Sequence, residues 1–428
     1  MTFDAIFVPA ALRAAVSDRA WFEAMLEVER ALANAEAIAG VIPAHLAGPI
    51  AEACVVERFD VESIVASGRS AGNPAEPLVR ALRAAVGGDA AEFVHFGATS
   101  QDIVDSAAML VSRRAVELIL EELDGLAVAC ASLAEAHRDT PMAARTLLQQ
   151  AVPTTFGLKA AGWLSAVLTA REHVWGARLP SQLGGAAGTL AALGADGPAV
   201  ARQFAEELDL AEPELPWHSD RSRIAALGLA LAIAAGVCAK IGLDVALLEQ
   251  TEVGEVREPA GAGGSSAMPQ KRNPVGSAIA GACGRRVAAA SGVLVDGLVG
   301  EHERSVGAWH AEWGALSEAL AFTGGAAAAM REVLEGLEVD TERMRANLQL
   351  GGGAAMSEHA LLVLSPRVGR EEALRLVKAA AASGSLRDGL SGSLGPDEVD
   401  AILDPTTYLG SAGQLVDRML AVYRDSVT

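Results

Sequence analysis

The chain has 428 residues and a formal net charge of −20, from 34 basic and 54 acidic residues. That balance lacks the basic face that nucleic-acid phosphates require, and excludes nucleic acid as a partner. Hydrophobic residues reach 51% while aromatics are only 4%; apolar volume supplied by Ala, Leu and Val suits close-packed helices, and the length calls for two or three domains or one very long bundle.

MTFDAIFVPA carries an early acid and no basic region ahead of an apolar run, so no secretory signal is expected and the location reads as cytoplasmic. From Arg19 to Ala39, Phe22, Met25, Leu26, Val28 and Leu32 recur near helical spacing among Glu and Arg. This predicts an amphipathic helix ended by Gly40 and followed by Pro43. The stretch Ser67 to Pro77 is broken by Gly68, Gly72, Pro74 and Pro77. Its G-N-P turn could border a ligand, although a plain connecting loop is the better account of it.

The segment F-V-H-F-G-A-T-S-Q-D-I-V-D, Phe93 to Asp105, breaks at Gly97. Thr99 or Ser100 then caps a helix whose first turn carries Asp102, where the macrodipole favours an acid. A cap explains the serine and the aspartate. It does not explain His95, nor two adjacent hydroxyls at a helix start that can hold a carboxylate. The helix is expected to run to about His137.

In A-R-T-L-L-Q-Q-A-V-P-T-T-F-G, Ala144 to Gly157, the polar groups Arg145, Thr146, Gln149 and Gln150 lie between apolar helices and need partners. P-W-H-S-D-R-S-R, Pro216 to Arg223, opens the longest uncharged run, Ile224 to Ala239. It is shorter than the roughly 20 residues of a membrane span. It reads as a fully buried helix, some of whose neighbours come from other subunits, and no membrane partner is expected.

The densest signal is G-A-G-G-S-S-A-M-P-Q-K-R-N-P, Gly261 to Pro274. Its glycines, serines and proline rule out a helix or strand interior and predict a loop. Free backbone N–H groups next to Lys271, Arg272 and Asn273 make an anion site, with Ser265 and Ser266 beside it and Pro274 opening the next helix. Further on, E-H-E-R-S-V-G-A-W-H-A-E-W, Glu301 to Trp313, concentrates two Trp, two His and Arg304. Packing against a neighbouring helix accounts for the tryptophans. Composition shifts near Glu338 toward a smaller helical domain. Cys54, Cys130, Cys238 and Cys283 lie far apart without metal spacing, as reduced buried thiols do.

The strings T-S-x-D, R-T-x-x-Q and G-S-S-x-M-P-x-K-x-N-P, in this order, resemble the signature regions of the fumarase/aspartase superfamily over nearly the whole chain. The resemblance implies an all-α, three-domain fold with a central bundle of long helices, divided here as 1–101, 102–340 and 341–428. It also implies a homotetramer whose active sites are each shared by three subunits, a small polycarboxylate substrate, no cofactor and no metal. Carried over by position, Thr99 and Ser100 bind carboxylates, and Thr146 and Gln149 add contacts from the second region. Ser265 is the catalytic serine, and Lys271 and Asn273 hold a developing enediolate. His95, His218, Arg221 and Arg304 complete the substrate-binding set, with His95 and His218 as rival proton donors.

One departure discriminates within the superfamily. Fumarases, adenylosuccinate lyases and argininosuccinate lyases place His directly after R-T, for acid/base chemistry; here that position is Leu147. The 3-carboxy-cis,cis-muconate cycloisomerases lack that His. The strings V-H-F-G-A-T-S-Q-D, L-Q-Q-A-V-P-T-T-F-G-L-K and D-P-T-T-Y-L-G are similar to theirs too. An adenylosuccinate-lyase-like enzyme and a non-catalytic helical scaffold are the alternatives. Ser222 stands where relatives often carry Asp, which leaves the ion pairing of Arg221 open.

Overall fold

The computed structural model describes residues 3–259, 268 and 271–427. The fold is all-α: helices dominate, and the strands among the described residues form two antiparallel pairs. The main elements are α1 (Asp18–Ile38), α2 (Ser100–Ala136), β1 (Pro141–Thr146), β2 (Gln149–Thr155), α3 (Phe156–Trp175), α4 (Ser222–Glu249), α5 (Val275–Asp296) and α6 (Ala308–Glu335). At about 1.5 Å per residue, the 37 residues of α2 extend over 50 Å.

Helix α1 follows its sequence closely. Ser17 accepts a hydrogen bond from the Ala20 N–H, and the helix stops before Gly40, which holds φ 76°. Phe22, Met25, Leu26, Val28 and Leu32 are all at most 2% exposed, and burying each stabilises the fold by about 1.5–3 kcal/mol. The same stripe carries two acids. Glu29 and Glu36 follow Phe22 at seven-residue steps and are 1% and 0% exposed.

The Arg145 region is a β-hairpin with a register shift between Ala143 and Arg145. Thr146 pairs with Gln149 across a two-residue turn formed by Leu147 and Leu148. Both leucines take the left-handed conformation, at φ 51° and 64°, which two-residue hairpins require and which Asn-Gly would supply without strain.

Within the single chain, helix α4 is only partly buried. Leu229, Ile233 and Leu243 are 52%, 42% and 60% exposed, because the single chain leaves one apolar face of the helix uncovered. By length and composition α4 and α5 are each apolar enough to cross a bilayer, but 56% of the most apolar stretch of α4 is buried inside the chain.

Contacts divide the chain into two compact units built from interleaved segments. The first comprises residues 1–122, 170–239 and 279–328; the second comprises 123–169, 240–278 and 329–428. Toward its C-terminal end the second unit carries a satellite core of Met356, Leu364, Val377, Leu386, Val399 and Ile402.

Candidate active site

His95, Thr99, Ser100, His218, Arg221 and Arg304 belong to the first unit. The entry to α2 is bent by two left-handed residues, His95 at φ 62° and Gly97 at φ 66°. A Cβ on Gly97 would sit 2.6 Å from Leu193 Cδ2, so only glycine fits. The bend brings the chain back onto Asp102. This carboxylate is fully buried and accepts from the N–H groups of Thr99, Gly184 and Gly185, each at 2.9 Å. His218 Nε2 lies 2.7 Å from its Oδ1. Asp102 therefore ties the Gly184–Gly185 loop and the P-W-H-S-D segment to the start of α2. His218 is 4% exposed and sits inside this framework.

One turn further on, Asp105 takes Arg221 through Nη1 and Nη2 at 2.8 and 3.0 Å, and accepts from Trp309 Nε1 at 2.9 Å. The opposite side of the guanidinium meets Glu312, with Nη2 at 2.6 Å from Oε2. Arg221 also stacks over the Trp217 ring at 4.8 Å. Burial works against its charge, but Asp105 and Glu312 outweigh that and hold the arginine firmly protonated. The ion pairing left open by Ser222 is thus complete without an acid at that position. Arg221 is 3% exposed with its donors engaged by protein groups, a geometry that braces α2 against α6.

Arg304 is placed differently. Its Nη1 donates to Thr99 Oγ1 at 3.0 Å and its Nη2 to Ala186 O at 3.3 Å, while Nε is buried without an acceptor. A hydroxyl that accepts from arginine keeps its own hydrogen to donate, so Thr99 and Arg304 together suit a carboxylate. His95 Nδ1 lies 2.6 Å from Glu29 Oε1.

A separate cavity of about 1370 Å³ is bordered by Val104 of α2, Trp313 and Ser317 of α6, and Arg69 and Asn73, and its lining includes none of His95, Thr99, Ser100, His218, Arg221 and Arg304. Asn73 belongs to the G-N-P turn. Trp313 packs edge-on against Trp309 with centroids 4.9 Å apart, and its indole N–H is buried without a hydrogen-bond partner.

Thr146, Gln149, Lys271 and Asn273 belong to the second unit. Arg145 makes a two-pronged pair with the buried Glu255 at 2.8 and 2.7 Å, and Asn347 donates to the same carboxylate at 2.8 Å. Gln150 donates to Asn347 O at 3.0 Å. These bonds brace the base of the hairpin and leave Thr146 and Gln149 exposed beside its tip, where Leu147 is 97% and Leu148 71% exposed. Lys271 is exposed and Asn273 half-buried. The first turn of α5 is already filled, since Glu258 accepts from the N–H groups of Gly276 and Ser277 at 2.9 and 2.8 Å. That helix end is therefore closed to a substrate anion. Ser265 and Ser266 lie outside the described residues.

A family model described as "Lyase" matches residues 8–288. The chain belongs to this lyase family, within the fumarase/aspartase superfamily. Among lyase-family relatives, the chain is 47% identical over 438 residues to a 3-carboxy-cis,cis-muconate cycloisomerase of Pseudomonas aeruginosa, covering 98% of this chain and 95% of the relative. It is also 47% identical over 433 residues to a nitrosuccinate lyase of Streptomyces davaonensis, covering 95% and 91%. The crystal structure of a 3-carboxy-cis,cis-muconate lactonizing enzyme from Pseudomonas putida superposes with a TM-score of 0.94 at 40% identity, over 100% of both chains. Glu29, Asp105 and Glu312 escaped the sequence reading, because single acids on helices otherwise read as solvated faces. The seven-residue spacing of Phe22, Glu29 and Glu36 was the available signal.

Proposed function

We propose that this chain is a 3-carboxy-cis,cis-muconate cycloisomerase, converting that tricarboxylate to 4-carboxymuconolactone in aromatic catabolism. The observation that carries the reading is Leu147, standing at the exposed hairpin tip where fumarases, adenylosuccinate lyases and argininosuccinate lyases carry a proton-transferring His. Lactonisation does not need that group. A carboxylate of the substrate attacks its own double bond, so the nucleophile is intramolecular and arrives without a base. The displaced electron pair moves onto the carbon next to a second carboxylate, which becomes an enediolate, and one proton delivered to that carbon completes the lactone.

In this reading Thr99, Ser100, Arg304 and His95 hold substrate carboxylates, and Lys271 and Asn273 stabilise the enediolate. Ser265 delivers the proton, an effect typically worth about 100- to 10,000-fold. Thr146 and Gln149 reach substrate from the hairpin, while His218 and Arg221 act by positioning α2. The exposed tip leucines and the uncovered face of α4 support a homotetramer in which neighbouring subunits complete each site.

A second reading is favoured by the equal identity to a nitrosuccinate lyase; there the enzyme would expel nitrite and form a double bond. Incubation with 3-carboxy-cis,cis-muconate in D₂O separates the two. The expected result is loss of the diene absorbance and a lactone carrying one deuterium on the protonated carbon. No lactone, together with nitrite released from nitrosuccinate, would overturn the cycloisomerase reading.

A further inference from the structure

We propose that Glu29 is a positioning residue that holds His95 as an imidazolium, so that its second ring nitrogen donates a charged hydrogen bond to a substrate carboxylate. The inference rests on the cycloisomerase reading for the identity of that carboxylate, and on geometry for the rest. Glu29 is on α1, and its side chain is fully buried. Its Oε1 meets His95 Nδ1 at 2.6 Å, as short as the shortest charge-assisted bonds, and its Oε2 is buried with no partner. A carboxylate enclosed in this way is costly unless a cation faces it. His95 is the group in contact with it, and it is held there in a left-handed conformation that costs a non-glycine residue about 1 kcal/mol or more. The ring keeps 15% exposure, and Nε2 makes no hydrogen bond among the described residues. The dyad is thus closed on the Nδ1 side and open on the other, four residues ahead of Thr99.

The charged groups around His95 are Glu29 of α1, Asp102 of α2 and Arg83 of the helix Ala75–Val86, whose Nη2 donates to Val94 O. Burial pulls the imidazole down, the charge and hydrogen bond of Glu29 together with Asp102 push it up, Arg83 opposes them, and the net direction is upward. Glu36, two turns along α1, does not compete for the proton-bearing role. Burial, reinforced by the charge of Glu29, pushes it up to about 9, so it is neutral at pH 7 and adds no second negative charge. The arrangement differs from His218 and Asp102, where the carboxylate also serves three backbone N–H groups.

Glu29→Gln keeps the shape and the hydrogen bond and removes the charge. An imidazolium donor is lost as pH rises through its pKa, so the wild-type alkaline limb of kcat/KM should fall about one pH unit in Glu29→Gln. KM near pH 8 should rise about tenfold, as for a lost charged hydrogen bond, with kcat less affected. Glu29→Asp should restore the limb. His95 titration by NMR, assigned with His95→Gln, reads the dyad without substrate and should show the same downward shift. A folded Glu29→Gln enzyme with unchanged His95 titration and pH profile would overturn the proposal. A shifted titration in an enzyme that never turns over carboxymuconate would sink the cycloisomerase reading instead and leave the dyad standing.

Discussion

The first unit buries its charges, and the second displays its hairpin. Around Asp102 and Asp105, two carboxylates from one turn of α2 gather backbone amides, a histidine, an arginine and a tryptophan in a region where each principal group is at most 5% exposed. The hairpin of the second unit has an equally well-paired base at Arg145 and Glu255, yet ends in two exposed, left-handed leucines. Neither feature serves the stability of an isolated chain best. A buried ion network is often no more stabilising than a hydrophobic one, and leucines are poor residues for a two-residue turn. The first fixes the geometry of Thr99 and Arg304. The second offers apolar surface that is cheap to desolvate, which suits the intersubunit contact proposed above.

The most damaging way to break this contrast is to cut the network. Asp105→Ala leaves the Trp309 indole without its acceptor and Arg221 with Glu312 as its remaining carboxylate, and should lower stability by about 3–5 kcal/mol in denaturant unfolding. Loss near zero would mean that water or Glu312 takes over, and the framework role would fall.

Glu36 tests the cost of buried acids through pH. Its folded pKa is raised, by burial first and Glu29 second, to about 9 from an ordinary value of 4.5. The neutral form is favoured in the fold, so the contribution is full below pH 4.5 and lost as pH rises toward 9. Glu36→Gln should match wild type near pH 4.5 and become progressively more stable by comparison, by up to about 1.4 kcal/mol per pH unit. A pH-independent difference between the two proteins in thermal melts would contradict this.

Arg304→Ala should leave folding intact but raise KM for a tricarboxylate about 10- to 100-fold, the loss of charged hydrogen bonds. An unchanged KM would move the carboxylate site away from Thr99. The smallest effect is expected at the turn. Leu148→Gly relieves a left-handed leucine and should stabilise the second unit by about 1 kcal/mol. If the same variant also weakens assembly in sedimentation, the tip is an intersubunit contact; stabilisation with unchanged assembly would make it only a strained turn.

The long helices and their order were legible because alanine- and leucine-rich periodicity and explicit caps write them into the chain. Ser17 and Gly40 bracket α1, and the break at Gly97 announces α2. The hairpin was less legible, since R-T-L-L-Q-Q carries no Asn-Gly and its turn is fixed by the bonds of Arg145 to Glu255 and of Gln150 to Asn347. The site residues were readable as polar islands in apolar sequence, but their tasks were not. Arg221 and Arg304 look alike in sequence; only the positions of Asp105 and Glu312 separate a bracing arginine from one that leans on Thr99. That α4 needs neighbours beyond its own chain was legible, but which face they cover was not, because an all-apolar run does not single out Leu229, Ile233 and Leu243.

The central claim is that a site without a histidine at position 147 carries out lactonisation rather than elimination. It is tested most directly by offering equal concentrations of 3-carboxy-cis,cis-muconate and nitrosuccinate to one preparation and following lactone and nitrite together. Lactone should dominate the early products by orders of magnitude. Nitrite formed faster than lactone would contradict it.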